Sequence, residues 1–417
     1  MPTFIGTSRD DRLTGTASKD TMYGRGGNDA LFGGGNSDVV FGEDGNDRIW
    51  GQDGDDRLYG QRGNDHLQGG NGQDRLWGDI GNDTLLGDAG NDEFHGGAGN
   101  DGIGMEIRDG EIFGFAMESG DDIAWGGSGD DWIHGGLGND LLRGEAGRDV
   151  IYGGHGTDLI SGGDGNDTLL GGGQTGDGSP YRDRIWGDAG DDFIWGNDVN
   201  DDLYGGIGND DVSGWGGNDR LWGDAGNDLM DGGDGRDVLY GGDGNDHLTG
   251  GAGNDTLYGG NGNDTFEASR KGLYAHNTES GDNVFHGQGG KDLFVYQTTT
   301  IHSEADGTEY FGAGDNIIAD FTRGQDRLLL KSSEISYTSE TQKDFHVTFS
   351  GLDTNRDGKV AVGDAGISVV NLQVDGETRS SLVIDFNNIA ADWTPTIDLE
   401  QRLSLFGVTS LGTSDFV

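Results

Sequence analysis

The stretch from Gly241 to Asp264 reads GGDGNDHLTGGAGNDTLYGGNGND, and its period of nine constrains what the whole chain can fold into. The unit is Gly-Gly-x-Gly-x-Asp-x-U-x, with U apolar. Gly241, Gly242 and Gly244 lead to Asp246 and Leu248; Gly250, Gly251 and Gly253 lead to Asp255 and Leu257. A fixed period sets architecture before any local propensity does. With the Asp counted as position six, one register runs from Asp11 through Asp20, Asp29, Asp38, Asp47, Asp56, Asp65, Asp74, Asp83, Asp92 and Asp101. It resumes over Asp122, Asp131, Asp140, Asp149, Asp158 and Asp167, and again over Asp183, Asp192, Asp201, Asp210, Asp219, Asp228, Asp237, Asp246, Asp255 and Asp264. Asp292 is a late outlier, and all 28 of these residues have an apolar residue two places on, Ala124 being the smallest.

The glycine-rich six residues are expected to form a turn, because Gly reaches φ > 0 and lets backbones approach closely. Asn at position five (Asn28, Asn46, Asn245, Asn254) suits such a turn, since Asn tolerates left-handed geometry. The remaining x-U-x triplet makes a minimal strand that points U inward. Two units then form one coil with a short strand on each face, and coils stack at roughly 4.8 Å. The expected fold is all-β: a right-handed parallel β-roll, or solenoid.

Stacking places each position-six Asp about 5 Å from the Asp two units later, where two carboxylates repel by about 3 kcal/mol at an effective dielectric of 20. Whole ladders of them need a counter-ion. A hard cation with six or more oxygen ligands fits carboxylates and turn carbonyls, which favours calcium over the tighter, water-retaining magnesium. Zinc wants His or Cys, which these turns do not offer. The position-six residues from Asp20 to Asp264, with Asp292, are therefore the candidate ligands, for about twenty ions at one ion between each pair of same-face turns.

A net charge of −50 with 31% hydrophobic residues is the composition of a disordered chain. The period argues instead for order conditional on metal, since binding energy then serves as folding energy. Such charge excludes nucleic acid as a default partner. There is no Cys, so neither disulfides nor thiol chemistry contribute. No run of 18 apolar residues spans a membrane. The start, MPTFIGTSRDDRL, lacks a basic region followed by an apolar core, so no classical signal peptide is expected.

Along the chain, residues 1–22 hold two degenerate units, with Gly6-Thr7 and Gly15-Thr16 in place of Gly-Gly, that close the end of the roll. The break at 105–119 lengthens the Asp spacing to 21, three more than a full coil, and reads as a bulged coil or small hairpin. The break at 172–182 lengthens one spacing to 16 and reads as an extended turn. Neither looks like a domain boundary, so 1–295 is expected to be one roll. Asn283 with Phe285, then Asp292 with Phe294, form a last distorted coil. Beyond it glycine thins, and alternation in Phe345–Phe349 and Ser381–Phe386 marks 296–417 as a β-rich cap over the open sheet edge. Inside the cap, Asp353, Asn355, Asp357, Gly358 and Asp364 match a twelve-residue calcium loop; a hairpin turn is the alternative.

Position nine carries aromatic residues in about half of the units, among them Tyr23, Phe32, Trp50, Trp77, Trp125, Trp195, Trp222 and Tyr258. Rings that pack beside one another on a thin sheet explain this most simply; a carbohydrate-binding stripe is the alternative. His66, His95, His134 and His247 show no metal spacing.

The nonapeptide resembles that of the RTX family of secreted calcium-binding proteins, over Asp11–Asp292. The C-terminal third is similar to the block that follows such repeats in serralysin-type proteases, through Asp315–Asp326 and Ser381–Phe386. The terminus, Ser414-Asp415-Phe416-Val417, resembles that family's uncleaved type I secretion signal. No H-E-x-x-H occurs, so the protease's catalytic site is missing. The resemblance implies calcium binding and export through a type I exporter to the outside of the cell. It leaves open a structural, surface or matrix role, a carbohydrate-binding module with surface polysaccharide as partner, or an epimerase-like accessory module. No catalytic residues are expected.

Overall fold

Most units of the repeat fold as a strand of about six residues, twice the length of the expected triplet. Thr21–Gly26, Ala30–Gly35 and Val39–Asp44 each take positions seven to nine of one unit and one to three of the next. Only Gly-x-Asp remains as the turn. The reason lies in the ladder: the amide of Gly26 donates to the Thr7 carbonyl and that of Gly35 to Thr16, so pairing continues past the apolar residue. Burial alternates along these strands, so that U and the position-one Gly both face inward.

This computed structural model describes residues 1–108, 111–115, 119–172, 182–267, 283–303, 307–311, 316–318, 327–336, 341–346, 367–374, 377–385 and 402–405. They fall into two compact units, Met1–Gly208 and Asn209–Val417. In the first, alternate strands pair in parallel with a register of one coil: Met22 with Val40, Val40 with Leu58, and, on the other sheet, Leu31 with Ile49. The U residues of the two sheets, such as Met22, Val40, Leu58 and Leu76 against Leu31, Ile49, Leu67 and Leu85, are fully buried and form the core. The second unit repeats the pattern, with Leu221 opposite Leu239 and Leu239 opposite Leu257. The architecture is the all-β parallel roll that the period predicts, with no helix among the described residues.

Glycine is favoured in different ways at two positions. Position two is left-handed, and Arg25, Glu43, Gln52, Gln61, Asp79 and Asp88 hold it with φ of 69–83°. Position four reaches +143° at Gly45 and +151° at Gly226, where no L side chain is at ease. A Cβ on Gly45 would also overlap the carbonyl of Gly27 in the preceding coil. The asparagines at position five are not left-handed, contrary to expectation: Asn36, at position four, is the one Asn with positive φ among the described residues. Position-five Asn instead builds a side-chain ladder. Oδ1 of Asn28 accepts from the amide of Asn46 at 2.9 Å, Asn46 from Asn64 at 2.9 Å, and Asn64 from Asn82 at 3.0 Å.

The first break is a hairpin. Met105–Arg108 and Glu111–Phe115 pair antiparallel, and the coil around them reaches a register of 30 residues, as at Phe94 with Ala124. The 21-residue Asp spacing is thus one unit plus the hairpin, not a lengthened full coil. Asp101 and Asp122 lie in different ladders. At the second break the register is 25 residues, Ile160 pairing with Ile185; residues 173–181 of the extended turn lie outside the described residues. The last coil is present as expected: Leu257 pairs with Phe285 and Phe266 with Phe294. Past it the chain remains β-rich and mixes the two senses: Leu293–Ser303 pairs in parallel with Arg327–Ser336, whereas Ile367–Val374 pairs antiparallel with Glu377–Asp385 and that strand with Arg402–Leu405.

Candidate cation-binding ladders

Every candidate from Asp20 to Asp264, and Asp292, ends a turn just before a strand and is at most 3% exposed. The two oxygens of each carboxylate have different surroundings. Oδ1 accepts from the backbone amide of the Asp one coil earlier: Asp29 donates to Asp47, Asp47 to Asp65 and Asp65 to Asp83, each at 2.7 Å. Two such ladders run through each compact unit, one through Asp38, Asp56, Asp74, Asp92 and Asp122 and the other through Asp47, Asp65, Asp83, Asp101 and Asp131 in the first. In the second unit Asn283 takes one of these places, accepting from Asp255 at 2.7 Å.

Oδ2 turns inward over the position-one Gly of its own turn. In Asp29 to Asp101, Asp122 to Asp167 and Asp228 to Asp264 this atom is buried and has no hydrogen-bond partner among the described residues. The slot it occupies is where a Cβ on that Gly would stand. On Gly42 such a Cβ would fall on Oδ2 of Asp47 and 2.9 Å from the carbonyl oxygen of Gly60, one coil on; on Gly126 it would fall on Asp131 and 2.8 Å from Gly144. Position-one glycines such as Gly42, Gly51, Gly126 and Gly144 therefore leave open a cradle bounded by a carboxylate oxygen and a main-chain carbonyl.

Without a cation these carboxylates resist ionising. Burial is the main cause, with the neighbouring Asp charges adding to it and the Asp amide bond opposing it: Asp47 and Asp56 are pushed up to about 6, and Asp74, Asp83 and Asp122 to about 8. Asp183 reaches about 9. A buried carboxylate oxygen without a donor is costly. A hard cation removes that cost, and the donors in reach are carboxylate and carbonyl oxygens, the set calcium takes. No three acidic or histidine side chains converge among the described residues, so main-chain carbonyls must complete any ion's shell. Turn carbonyls were expected beside the carboxylates; the structure sets those of position-one Gly, such as Gly60 and Gly144, at the slot.

Three turns differ. At Asp11 and Asp20 the amide and hydroxyl of Thr7 and Thr16 donate to Oδ2, the amides at 2.5 and 2.6 Å. At Asp201 the amide of Asn197 does so at 2.9 Å, while its side chain donates to Oδ2 of Asp183 at 2.7 Å. All three donors stand at position two, and none has positive φ. A left-handed position two leaves Oδ2 to a cation, whereas an extended one turns its own amide in. The hydroxyl and amide donors hold Asp11 below the usual carboxylate range. The loop of Asp353, Asn355, Asp357 and Asp364 lies outside the described residues.

Stacked coils with oxygen-lined, anionic turns define a calcium-binding β-roll. The family model described as RTX calcium-binding nonapeptide repeat matches residues 5–40, 32–67, 68–103, 118–142, 135–169, 170–203, 177–212, 195–230 and 231–266, more than half of the chain. The chain belongs to this family, and calcium is the ion its repeats bind. No curated protein matches the chain in sequence.

Proposed function

We propose that this RTX protein leaves the cell unfolded through a type I exporter, with its C-terminal residues as the signal, and folds outside on calcium. Its role there is structural, as a surface, matrix or adhesion component, and it is not an enzyme. Residues 1–295 form the roll and 296–417 cap it. The position-six aspartates, through the Oδ2 atoms that no amide or hydroxyl engages and the position-one carbonyls, hold about twenty ions, one between each pair of same-face turns. The loop of Asp353 to Asp364 offers one more site of the same donor chemistry.

The observation that carries this reading is the run of buried Oδ2 atoms without a donor from Asp29 to Asp101. At cytosolic calcium, far below the 10⁻⁴–10⁻³ M at which extracellular modules bind, these ladders stay unneutralised and the chain stays open. Outside, at calcium about ten times the site dissociation constant, each site adds about 1.4 kcal/mol. Stacked repeats make such folding cooperative. The test is circular dichroism and gel filtration at neutral pH through a titration from EDTA into calcium, with magnesium as control, and native mass spectrometry for the count. A compact, β-rich protein in EDTA at neutral pH, or fewer than about ten bound ions, overturns the reading.

A further inference from the structure

Most position-nine rings use their faces on one another. Tyr23, Phe41, Tyr59, Trp77, His95 and Trp125 stack in one column with centroids 4.5–5.4 Å apart. On the other sheet the stack is short: Phe32 lies on Trp50 at 4.5 Å and 5°, and the next rung is Gln68. Beside that end runs the position-two column Gly34, Gln52, Gly70 and Asp88. Gly70 is a rung without a side chain between two that have one. Its φ is +116°, and a Cβ there would overlap the carbonyl of Gln52.

The result is a cleft of about 360 Å³, within the size range of small-ligand sites. Trp50 and Gln68 form one wall, Asp53 and Asn71 the other, and Gln52 and Asp88 close the ends. The polar walls are already ordered: Gln68 Nε2 donates to Asp88 Oδ2 at 2.7 Å, and Asn71 Nδ2 to Asp53 Oδ1 at 2.9 Å. The lining combines a half-buried indole, three amides that both donate and accept, and two carboxylates; it contains no Lys, Arg or His.

From this lining we infer that the cleft binds a neutral hexopyranose unit of a polysaccharide. The apolar C–H face of the ring lies against Trp50, and its hydroxyls pair with Gln52, Asn71 and the Gln68–Asp88 couple. Adjacent hydroxyls need donors and acceptors side by side, which the amides supply, and a cation would use only the acceptors. Uronate chains are disfavoured, since Asp53 and Asp88 face the ligand with no compensating cation. The inference concerns a site apart from the cation ladders and does not depend on the route of export.

The test is isothermal titration of the full-length, calcium-loaded protein with neutral gluco-, manno- and galacto-oligosaccharides. An oligouronate and spermidine serve as anionic and cationic probes. One neutral series is expected to bind, and Trp50→Ala to weaken it at least about tenfold, the scale of losing a built contact to the sugar. Gln52→Ala and Asn71→Ala, both at exposed residues, are expected to weaken it about three- to tenfold while leaving the calcium midpoint of folding unchanged. Gln52→Ala keeps the test decisive if Trp50→Ala disturbs the stack on Phe32. Binding of no neutral sugar, neutral binding that both Gln52→Ala and Asn71→Ala leave unaltered, or binding of the oligouronate or spermidine alone overturns the inference.

Discussion

The backbone amide of Asp74 donates to Oδ1 of Asp92, 18 residues on, at 2.7 Å, while Asp74 accepts in the same way from Asp56. One carboxylate thus ties its coil to the preceding one through Oδ1 and keeps Oδ2 for a cation. These two functions separate by substitution. Asp74→Asn keeps the acceptor, as Asn283 does naturally opposite Asp255, and is expected to lose one or two calcium ions with the roll intact. Asp74→Ala also strands the buried Asp56 amide and is expected to cost a further ~1–3 kcal/mol. Native mass spectrometry and calcium-loaded melting measure the two effects. Equal destabilisation by Asn and Ala would show that Oδ1 carries no structural load.

Position one and position two predict opposite results for small changes. Gly60→Ala places a methyl group in the slot held by Oδ2 of Asp65. Moving that carboxylate should abolish at least one site and raise the calcium needed for folding. Thr16→Gly removes the hydroxyl donor to Asp20 and lets position two become left-handed. It should add one ion to the native mass. An unchanged ion count in Thr16→Gly would sink the proposed link between position-two conformation and cation binding.

The Asp register and the U column were legible because a nine-residue period leaves little freedom: once Met22 and Val40 face inward, Asp20 and Asp38 must end neighbouring turns. What stayed hidden depended on contacts between coils rather than on composition. Nothing local to Asn46 shows that its amide reaches Asn28, so its role was read as a backbone preference. The strands looked like triplets because Gly is a poor strand former alone, yet the ladder bond from Gly26 to Thr7 extends them. The 21-residue spacing gave the presence of an insertion but not which ladder Asp122 joins; its acceptance from Asp92 decides that. Thr7 and Thr16 were read as closing the end of the roll; what their sequence did not show is that they donate into the Asp slot.

Trp77 sits between Tyr59 at 4.5 Å and His95 at 5.4 Å, both stacked nearly parallel to it. Stacked pairs contribute about 0.5–1.5 kcal/mol each, so Trp77→Ala should destabilise the calcium-loaded roll by about 1–3 kcal/mol without changing ion count. Chemical denaturation in saturating calcium measures the first and native mass spectrometry the second. A lost ion would mean that the ring column and the cation ladder are coupled through the sheet.

The last prediction concerns pH in the absence of metal. Burial raises Asp74, Asp83, Asp122 and Asp131 from an ordinary 3.8 to about 8, and Asp47, Asp56 and Asp92 to about 6. The folded chain therefore binds more protons than the unfolded chain between these values, and stability falls as pH rises. The contribution is fully present below about pH 4 and is lost through pH 6 to 8. With calcium the sign reverses, because the ligands must be deprotonated and binding releases protons. In EDTA the compact, β-rich fraction seen by circular dichroism should be largest near pH 5 and lost by neutral pH; in saturating calcium the melting temperature should rise from pH 5 to pH 8. Circular dichroism in EDTA and melting curves in calcium decide the matter. A metal-free protein that becomes more stable from pH 5 to pH 8 would mean that the buried carboxylates are not what holds the roll open.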